Sequence, residues 1–198
     1  MSMFARPSFR VGLVGIVALS TAFVVLHAEV PKGWFLAGSK PALYESSVDN
    51  VNMYAGLPSA YLRSKSPEVP EGFGTLMQNF SADQYIGKRV RFGAFVKSEG
   101  VERWSGLWMR IDGKTPQNSL AFDNMQNRPI TGVTGWKEYE VVLDVPEGAT
   151  GIFLGILLDG PGTVWMSNNK FDVVGPNVPS TNMLPAASQG PTNLGFEK

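Results

Sequence analysis

Two residue types with chemical reach are almost missing from this chain. Its 198 residues include no cysteine, which excludes a disulfide, a thiolate nucleophile and a sulfur-ligated zinc site. The single histidine, His27, ends an N-terminal apolar stretch. If that stretch is removed, as expected below, no imidazole is left for a Ser-His-Asp triad, a general base or a His-rich metal site. Carboxylate chemistry and oxygen-ligated cations remain open. An excess of one charge is missing as well: 17 basic and 17 acidic residues cancel. Without a basic stripe, nucleic acid is not an expected partner. Beyond residue 28 no window sustains a helical period.

What is present fits a globular all-β protein. Apolar residues make up 43% and aromatic residues 11%, enough for one domain with a substantial core. The 22 glycines and 14 prolines punctuate short apolar runs, as turns punctuate strands.

Arg6 and Arg10 precede an uncharged apolar run, Val11 to Leu26, that closes on Leu26-His27-Ala28. A basic segment, an apolar segment and a small residue before Glu29 are the parts of a secretory signal peptide, so residues 1–28 are expected to be a signal helix cleaved after Ala28. An uncleaved anchor is the rival reading, but Val11 to Leu26 as a helix spans only about 24 Å of a roughly 30 Å hydrocarbon core. Either way the residues from 29 onward are expected outside the cytoplasm, periplasmic or extracellular, touching a membrane only through an uncleaved anchor. Losing two of the 17 basic residues against 17 acidic ones leaves a formal charge of −2.

Strand-like alternation then runs through the chain. Tyr44 to Tyr54 reads as an edge strand, and Ser59 to Lys65 alternates. Gly74 to Phe80 sets Leu76, Gln78 and Phe80 on one side, and Ser81 caps a single helical turn to Tyr85. Lys88 to Ser98 is the clearest strand, and Trp104 to Asp112 follows it. Ser119 to Asp123 is short and leads into a long polar connection, Asn124 to Gly135. Glu138 to Val145 points Tyr139, Val141, Leu143 and Val145 inward. Ile152 to Leu158 is apolar on both parities, which predicts a central strand covered on both faces. Thr163 to Met166 and Phe171 to Val174 are separated by a bend at Ser167 to Asn169. About nine strands at this spacing predict a single jelly-roll β-sandwich over residues 29–175, with 176–198 an extended, proline-containing tail.

The stretch from Trp104 to Asp112 is the one to watch. A period of two points Leu107, Met109 and Ile111 one way and Trp108, Arg110 and Asp112 the other, with Trp104 on the second parity. A core face thus backs a row of indole, guanidinium and carboxylate. With Asp123, Asn124 and Arg128 of the following loop, and Gln78 pointing from its own strand, this set suits carbohydrate or another small polar ligand. An aromatic face takes sugar C–H surface, and planar polar groups take paired hydroxyls. The same residues equally suit an Arg–Asp network that braces the loop, and solvent exposure of Trp108 separates the two readings. Trp34, Trp136 and Trp165 read as core or rim packing. Asp49, Asp159 and Asp172 are weak candidates for calcium because no EF-hand-like spacing joins them, so no cofactor or metal is expected. Asp112, Asp123 and Glu140 are candidates for carboxylate catalysis, but nothing in their spacing makes them converge.

Several segments together carry a resemblance: Gly33-Trp34, Gly74-Thr75-Leu76-Met77-Gln78, Tyr85-Ile86-Gly87-Lys88-Arg89-Val90, Gly106 to Asp112, Asp123-Asn124-Met125, Trp136 with Tyr139-Glu140, Gly155 with Leu157-Leu158, and Gly162 with Val164-Trp165. The region 33–175 resembles the galactose-binding-like, carbohydrate-binding-module-like jelly roll of exported bacterial proteins. Similar domains are appended to AraC-type regulators and to some peptidases and esterases. The resemblance implies an exported, non-catalytic binding module; the alternative is a structural or protein-interaction envelope domain with no small ligand. No helix-turn-helix, protease or esterase pattern is read beside it. In related jelly rolls an Asn-Leu-x-Phe-Glu segment precedes the first tryptophan. Here Asn193-Leu194-Gly195-Phe196-Glu197 stands at the far end, where it either returns as a strand beside Trp34 or ends a disordered tail.

Overall fold

The computed structural model of the chain describes residues 29–68, 71–115, 119–185, 190 and 193–197. The expected signal segment, 1–28, lies outside the described residues.

Nine strands are found: β1 (Phe35–Gly38), β2 (Tyr44–Tyr54), β3 (Leu57–Ser64), β4 (Phe73–Ser81), β5 (Arg89–Asp112), β6 (Ser119–Asp123), β7 (Ile130–Asp144), β8 (Gly151–Asp159) and β9 (Thr163–Val174). Every pairing between them is antiparallel. The architecture turns on β5, a strand of 24 residues. Its first half, Arg89 to Glu99, lies between β7 and β9. Its second half, Trp104 to Asp112, lies between β8 and β6. Gly100, with φ of 59°, sits at the corner, where a left-handed backbone residue lets the strand leave one layer and enter the other. One layer is therefore β7-β5-β9-β3-β2 and the other β6-β5-β8-β4-β1. The fold is an all-β sandwich, as the alternation predicted.

The core lies between the layers and is built from the expected parities. Val90, Phe92, Ala94 and Val96 of β5 meet Leu107, Met109 and Ile111 of the same strand after the corner, with Leu154 and Ile156 of β8. Burying each of these larger side chains contributes roughly 1.5–3 kcal/mol. The apolar set on the other parity of β8 does what its sequence predicted: Leu157, Met77 and Trp108 form a second buried cluster on the outside of the second layer.

Five boundaries differ from the sequence reading, each for a physical reason. Lys88 to Ser98 and Trp104 to Asp112 are one strand, β5, carried round the corner by the left-handed Gly100. The two segments bent at Ser167 to Asn169 are one strand, β9, because Asn168 takes a left-handed conformation (φ 53°) that asparagine tolerates; the β5–β9 register shifts nearby, between Gly93 and Phe95. Strand β7 starts at Ile130, inside the expected polar connection, because its first half is a mostly exposed ribbon with no apolar alternation to read. Strand β1, Phe35-Leu36-Ala37-Gly38, is too short to show a period. Asn193 to Glu197 does not return as a strand. It closes a turn on itself, with Glu197 N–H donating to Asn193 Oδ1 at 2.7 Å and Asn193 Nδ2 donating to Glu197 O at 2.7 Å.

The tail nevertheless does structural work before that point. Thr181 N–H donates to Val142 O at 2.8 Å and Thr181 Oγ1 accepts from Val142 N–H at 2.9 Å, on the outer edge of β7. Met183 N–H donates to Phe122 O at 2.8 Å and Asn182 Oδ1 accepts from Phe122 N–H at 2.9 Å, on the outer edge of β6. Arg89 anchors the start of the tail, donating to Val178 O at 2.6 Å and to Pro176 O at 3.0 Å while paired with Asp144. Residues 176–184 thus form a strap that covers an open edge in each layer, a place where bare N–H and C=O groups otherwise invite pairing with another chain.

Candidate functional site

The outer face of the second layer carries a cleft, and the registers of four strands build it. One row across the sheet reads Trp108, Gly155, Met77, Phe35 from β5 to β1. The next reads Gly106, Leu157, Thr75, Ala37. On the other side of Trp108, Phe122 and Phe153 flank Arg110 from β6 and β8. Large side chains thus alternate with glycine, and that leaves a trough. At Gly155 a Cβ would fall 2.9 Å from Met77 Cα, so only glycine lets β4 and β8 approach here. At Gly106 a Cβ would fall 2.8 Å from Asn124 O and 2.9 Å from Met125 Cβ, so the loop after β6 closes down over the strand. The resulting cleft has a volume of about 460 Å³, within the range of small-ligand sites.

Its far wall is pinned independently. Phe73 N–H donates to Ser39 Oγ at 2.9 Å and Phe73 O accepts from Lys40 N–H at 3.1 Å. Below it the buried Tyr44 hydroxyl donates to Gly72 O and Gly160 O, and burial pushes its pKa up. Arg103 pairs with Asp159 and donates to Gly72 O at 3.1 Å.

The residues expected at the site divide between different places. Trp108 is in the cleft, but only 8% exposed: its indole N–H donates to Thr75 Oγ1 at 2.7 Å, and that hydroxyl donates to Ile156 O at 2.8 Å. Trp108 therefore forms the floor rather than an exposed platform, an outcome that by itself favours the brace reading; Arg110, with its side chain 37% exposed, is the expected binding group that still reaches the cleft. The surfaces left for a ligand to lie on are Trp104, Phe122, Phe153, Phe73 and Phe35. Arg110 and Asn124 line the cleft too. Arg110 Nη2 donates to Asp112 Oδ2 at 2.8 Å, its guanidinium lies 4.9 Å from the centre of the Phe153 ring, and its buried Nε–H has no partner among the described residues. Asp112 is buried behind it and also accepts from Ser119 at 3.2 Å.

Asp123 and Arg128 are not in the cleft. Asp123 stands opposite Met109, on the core parity, and is completely buried. Arg128 grips it with two N–H groups, at 3.1 and 2.6 Å, and donates a third bond to Glu140 O at 3.0 Å. Asp123 Oδ1 also accepts from Met125 N–H at 2.8 Å, holding Met125 in its left-handed conformation (φ 62°). This pair is the loop brace that the sequence offered as the rival reading. Gln78 is also elsewhere. It shares the core-side parity of Leu76 and lines a separate opening of about 340 Å³ with Phe80, Tyr85 and Phe171.

The remaining candidates are spread apart. Asp49 accepts from Trp165 Nε1 at 2.8 Å and from Asn52. Slight burial raises its pKa, but these donors outweigh it and bring the pKa down to about 2. Asp159 faces Arg103 and Asp172 faces Arg91. Among the described residues no group of three or more His, Cys, Asp and Glu could hold a metal ion. Glu140 meets Arg91 at 3.5 Å on the first layer, away from Asp112. Trp34 packs against the core, and Trp136 lies 5.7 Å from Tyr54, ring centre to ring centre.

Phe35, Phe73, Met77, Phe122 and Phe153 were not foreseen as cleft residues. A signal for them existed: a strand apolar on both parities requires a cover for its second face, and Phe153 and Leu157 are the outward set of β8.

No family model matches the chain. A curated relative, named an uncharacterized HTH-type transcriptional regulator, YbfP of Bacillus subtilis (strain 168), is 46% identical over 169 residues, 84% of this chain and 57% of that protein. The chain therefore spans little more than half the length of the relative it matches. Among solved structures, the xylan-binding CBM22-1 domain of Paenibacillus barcinonensis Xyn10C aligns with a TM-score of 0.50 at 12% identity, covering 73% of this chain and 88% of that one. The C-terminal family 22 carbohydrate-binding module of Clostridium thermocellum Xyn10B gives 0.50 at 13%, over 73% and 87%. The enzymatically active domain of tailspike protein 4 of bacteriophage CBA120 gives 0.53 at 14%, over 72% of this chain but 20% of that one. At such identities the likeness is one of fold, and that fold is the β-sandwich jelly roll of the carbohydrate-binding modules.

Proposed function

We propose that the chain is a non-catalytic binding module, exported from the cell, whose outer-face cleft takes carbohydrate. The cleft itself carries this reading: about 460 Å³, walled by aromatic rings, with Arg110 and Asn124 placed where a ligand's polar groups would lie. Flat rings stack on the C–H faces of sugars, and a few fixed polar groups orient them. The shared fold with modules whose names state xylan binding supports the same reading. A glycan array probed with the purified protein tests it. Binding that is lost in Trp104→Ala and Phe153→Ala, with melting temperature largely kept, is the expected result. Binding unaffected by both would move the site off this face, and no binding at all would favour a structural or protein-interaction role.

A second reading has its own support. The 46% identity to YbfP suits the ligand-sensing part of a transcriptional regulator, which would use the same cleft and report occupancy elsewhere. The N-terminus of the protein recovered from cells separates the readings. A mature chain beginning at Glu29 in the exported fraction supports the first, and an intact Met1 in the cytoplasm supports the second.

A further inference from the structure

We infer that the cleft selects a carboxylate-bearing sugar, a uronic acid unit, over a neutral one. The inference rests on the cleft being a ligand site and concerns which chemistry it accepts. The polar side chains in the lining are Thr75, Arg110, Asn124 and the two indoles. Thr75 is buried and already both accepts and donates. Trp108 has given its N–H to Thr75. Asn124 has committed its Oδ1 to Gln126 N–H at 3.1 Å. What is left to meet a ligand is mostly donors, the Arg110 N–H groups not held by Asp112, the Asn124 amide and the Trp104 indole, beside one lone pair on Asn124 Oδ1. Among the described residues no carboxylate lines the cleft. Asp112 is buried, and its two oxygens are taken by Arg110 and Ser119.

Such a surface discriminates by hydrogen-bond sense. At the position facing Arg110, the hydroxymethyl group of a neutral sugar brings a proton that finds no acceptor on the guanidinium. A carboxylate at that position only accepts and gains a charge-assisted bond to the guanidinium, while the ring hydroxyls common to both sugars do not enter the difference. Arg110 is also prepared for it. Phe153 lies beneath the guanidinium at 4.9 Å from ring centre to Cζ and Asp112 holds one edge, while the buried Nε–H has no partner among the described residues, so the group is held in place with donor capacity left over. The aromatic walls then take the C–H faces of the ring that bears the acid.

Isothermal titration of the protein with tri-galacturonate, its methyl ester and neutral galactotriose tests this, with 4-hydroxybenzoate as an aromatic acid without a sugar. The acid trisaccharide should bind at least about tenfold more tightly than its ester or the neutral trisaccharide, one charge-assisted bond's worth. The preference should shrink with salt and vanish in Arg110→Gln. Equal affinity for acid and ester in the unaltered protein overturns the inference and leaves the carbohydrate reading standing. A preference that survives Arg110→Gln also overturns it. If only 4-hydroxybenzoate shows the Arg110-dependent preference, the sugar assignment falls. If nothing binds, the cleft is not a ligand site and both readings fall together.

Discussion

Two arginine–aspartate pairs lie within one short span of sequence and have opposite fates. Arg128 spends two N–H groups on Asp123 and a third bond on Glu140 O, around a carboxylate with no exposure at all. Arg110 makes one bond to Asp112 and leaves its Nε–H without a partner. The first pair is saturated and faces the core; the second is incomplete and faces the cleft. What separates them is one residue of register. Asp123 stands opposite Met109 while its neighbour Phe122 stands opposite Arg110, and adjacent strand residues face opposite sides. A saturated pair is structure, and an unsaturated one at a cleft wall is capacity to bind.

The sharpest way to break that contrast is to remove Asp123. Asp123→Ala leaves Arg128 without its carboxylate and the Met125 N–H without its acceptor, and should destabilise by about 3–5 kcal/mol, read as a lower urea midpoint. Arg110→Gln keeps an amide donor for the buried Asp112 carboxylate and holds no loop, so it should cost less, about 1–3 kcal/mol, while abolishing the acid preference. If the two substitutions cost the same stability, the distinction between brace and binding group fails.

Removing residues 176–198 comes next in size. The strap's bonds to Val142 and Phe122 cap both sheet edges, and at about 0.5–1.5 kcal/mol each their loss should lower the melting temperature and promote self-association, seen by light scattering. Gly106→Ala sharpens the comparison from the loop side. The added methyl meets Asn124 O and Met125 Cβ, so it should cost about 1–3 kcal/mol and shift Asn124 at the cleft, with Asp123–Arg128 still formed by crystallography.

The smallest effect is a pH effect at Asp49. Its pKa is about 2 in the folded chain and about 3.9 unfolded. Between those values the unfolded chain binds more protons, so stability rises with pH there; the contribution is full above about pH 4 and lost as pH falls toward 2. Asp49→Asn should flatten the acid limb of the stability curve, measured by urea unfolding from pH 5 to 2.

The fold was legible because its core strands alternate cleanly: Val90 to Val96, Leu107 to Ile111 and Tyr139 to Val145 face where their parity puts them. The site was legible only in part. The parity of β5 placed Trp108 and Arg110 on one outer face, and the two-sided β8 implied that this face is covered. Parity could not say that β6 pairs Phe122, rather than Asp123, with Arg110, since register across strands is a tertiary fact. Nor could it show that Trp108 would be buried as the floor with its N–H given to Thr75, since that bond crosses to another strand. The strap was legible as an extended tail, but its anchors are single residues, Thr181 and Asn182, with no pattern to mark them.

The account stands on the outer-face cleft being where a ligand binds. The five tryptophan indole N–H signals, followed by two-dimensional NMR during titration with a sugar that the protein binds, test this directly. The signals of Trp104 and Trp108 should move together and saturably, while those of Trp34, Trp136 and Trp165 stay in place. Shifts centred on Trp136 or Trp165, with Trp104 and Trp108 unmoved, would put the ligand on the other layer and contradict the account.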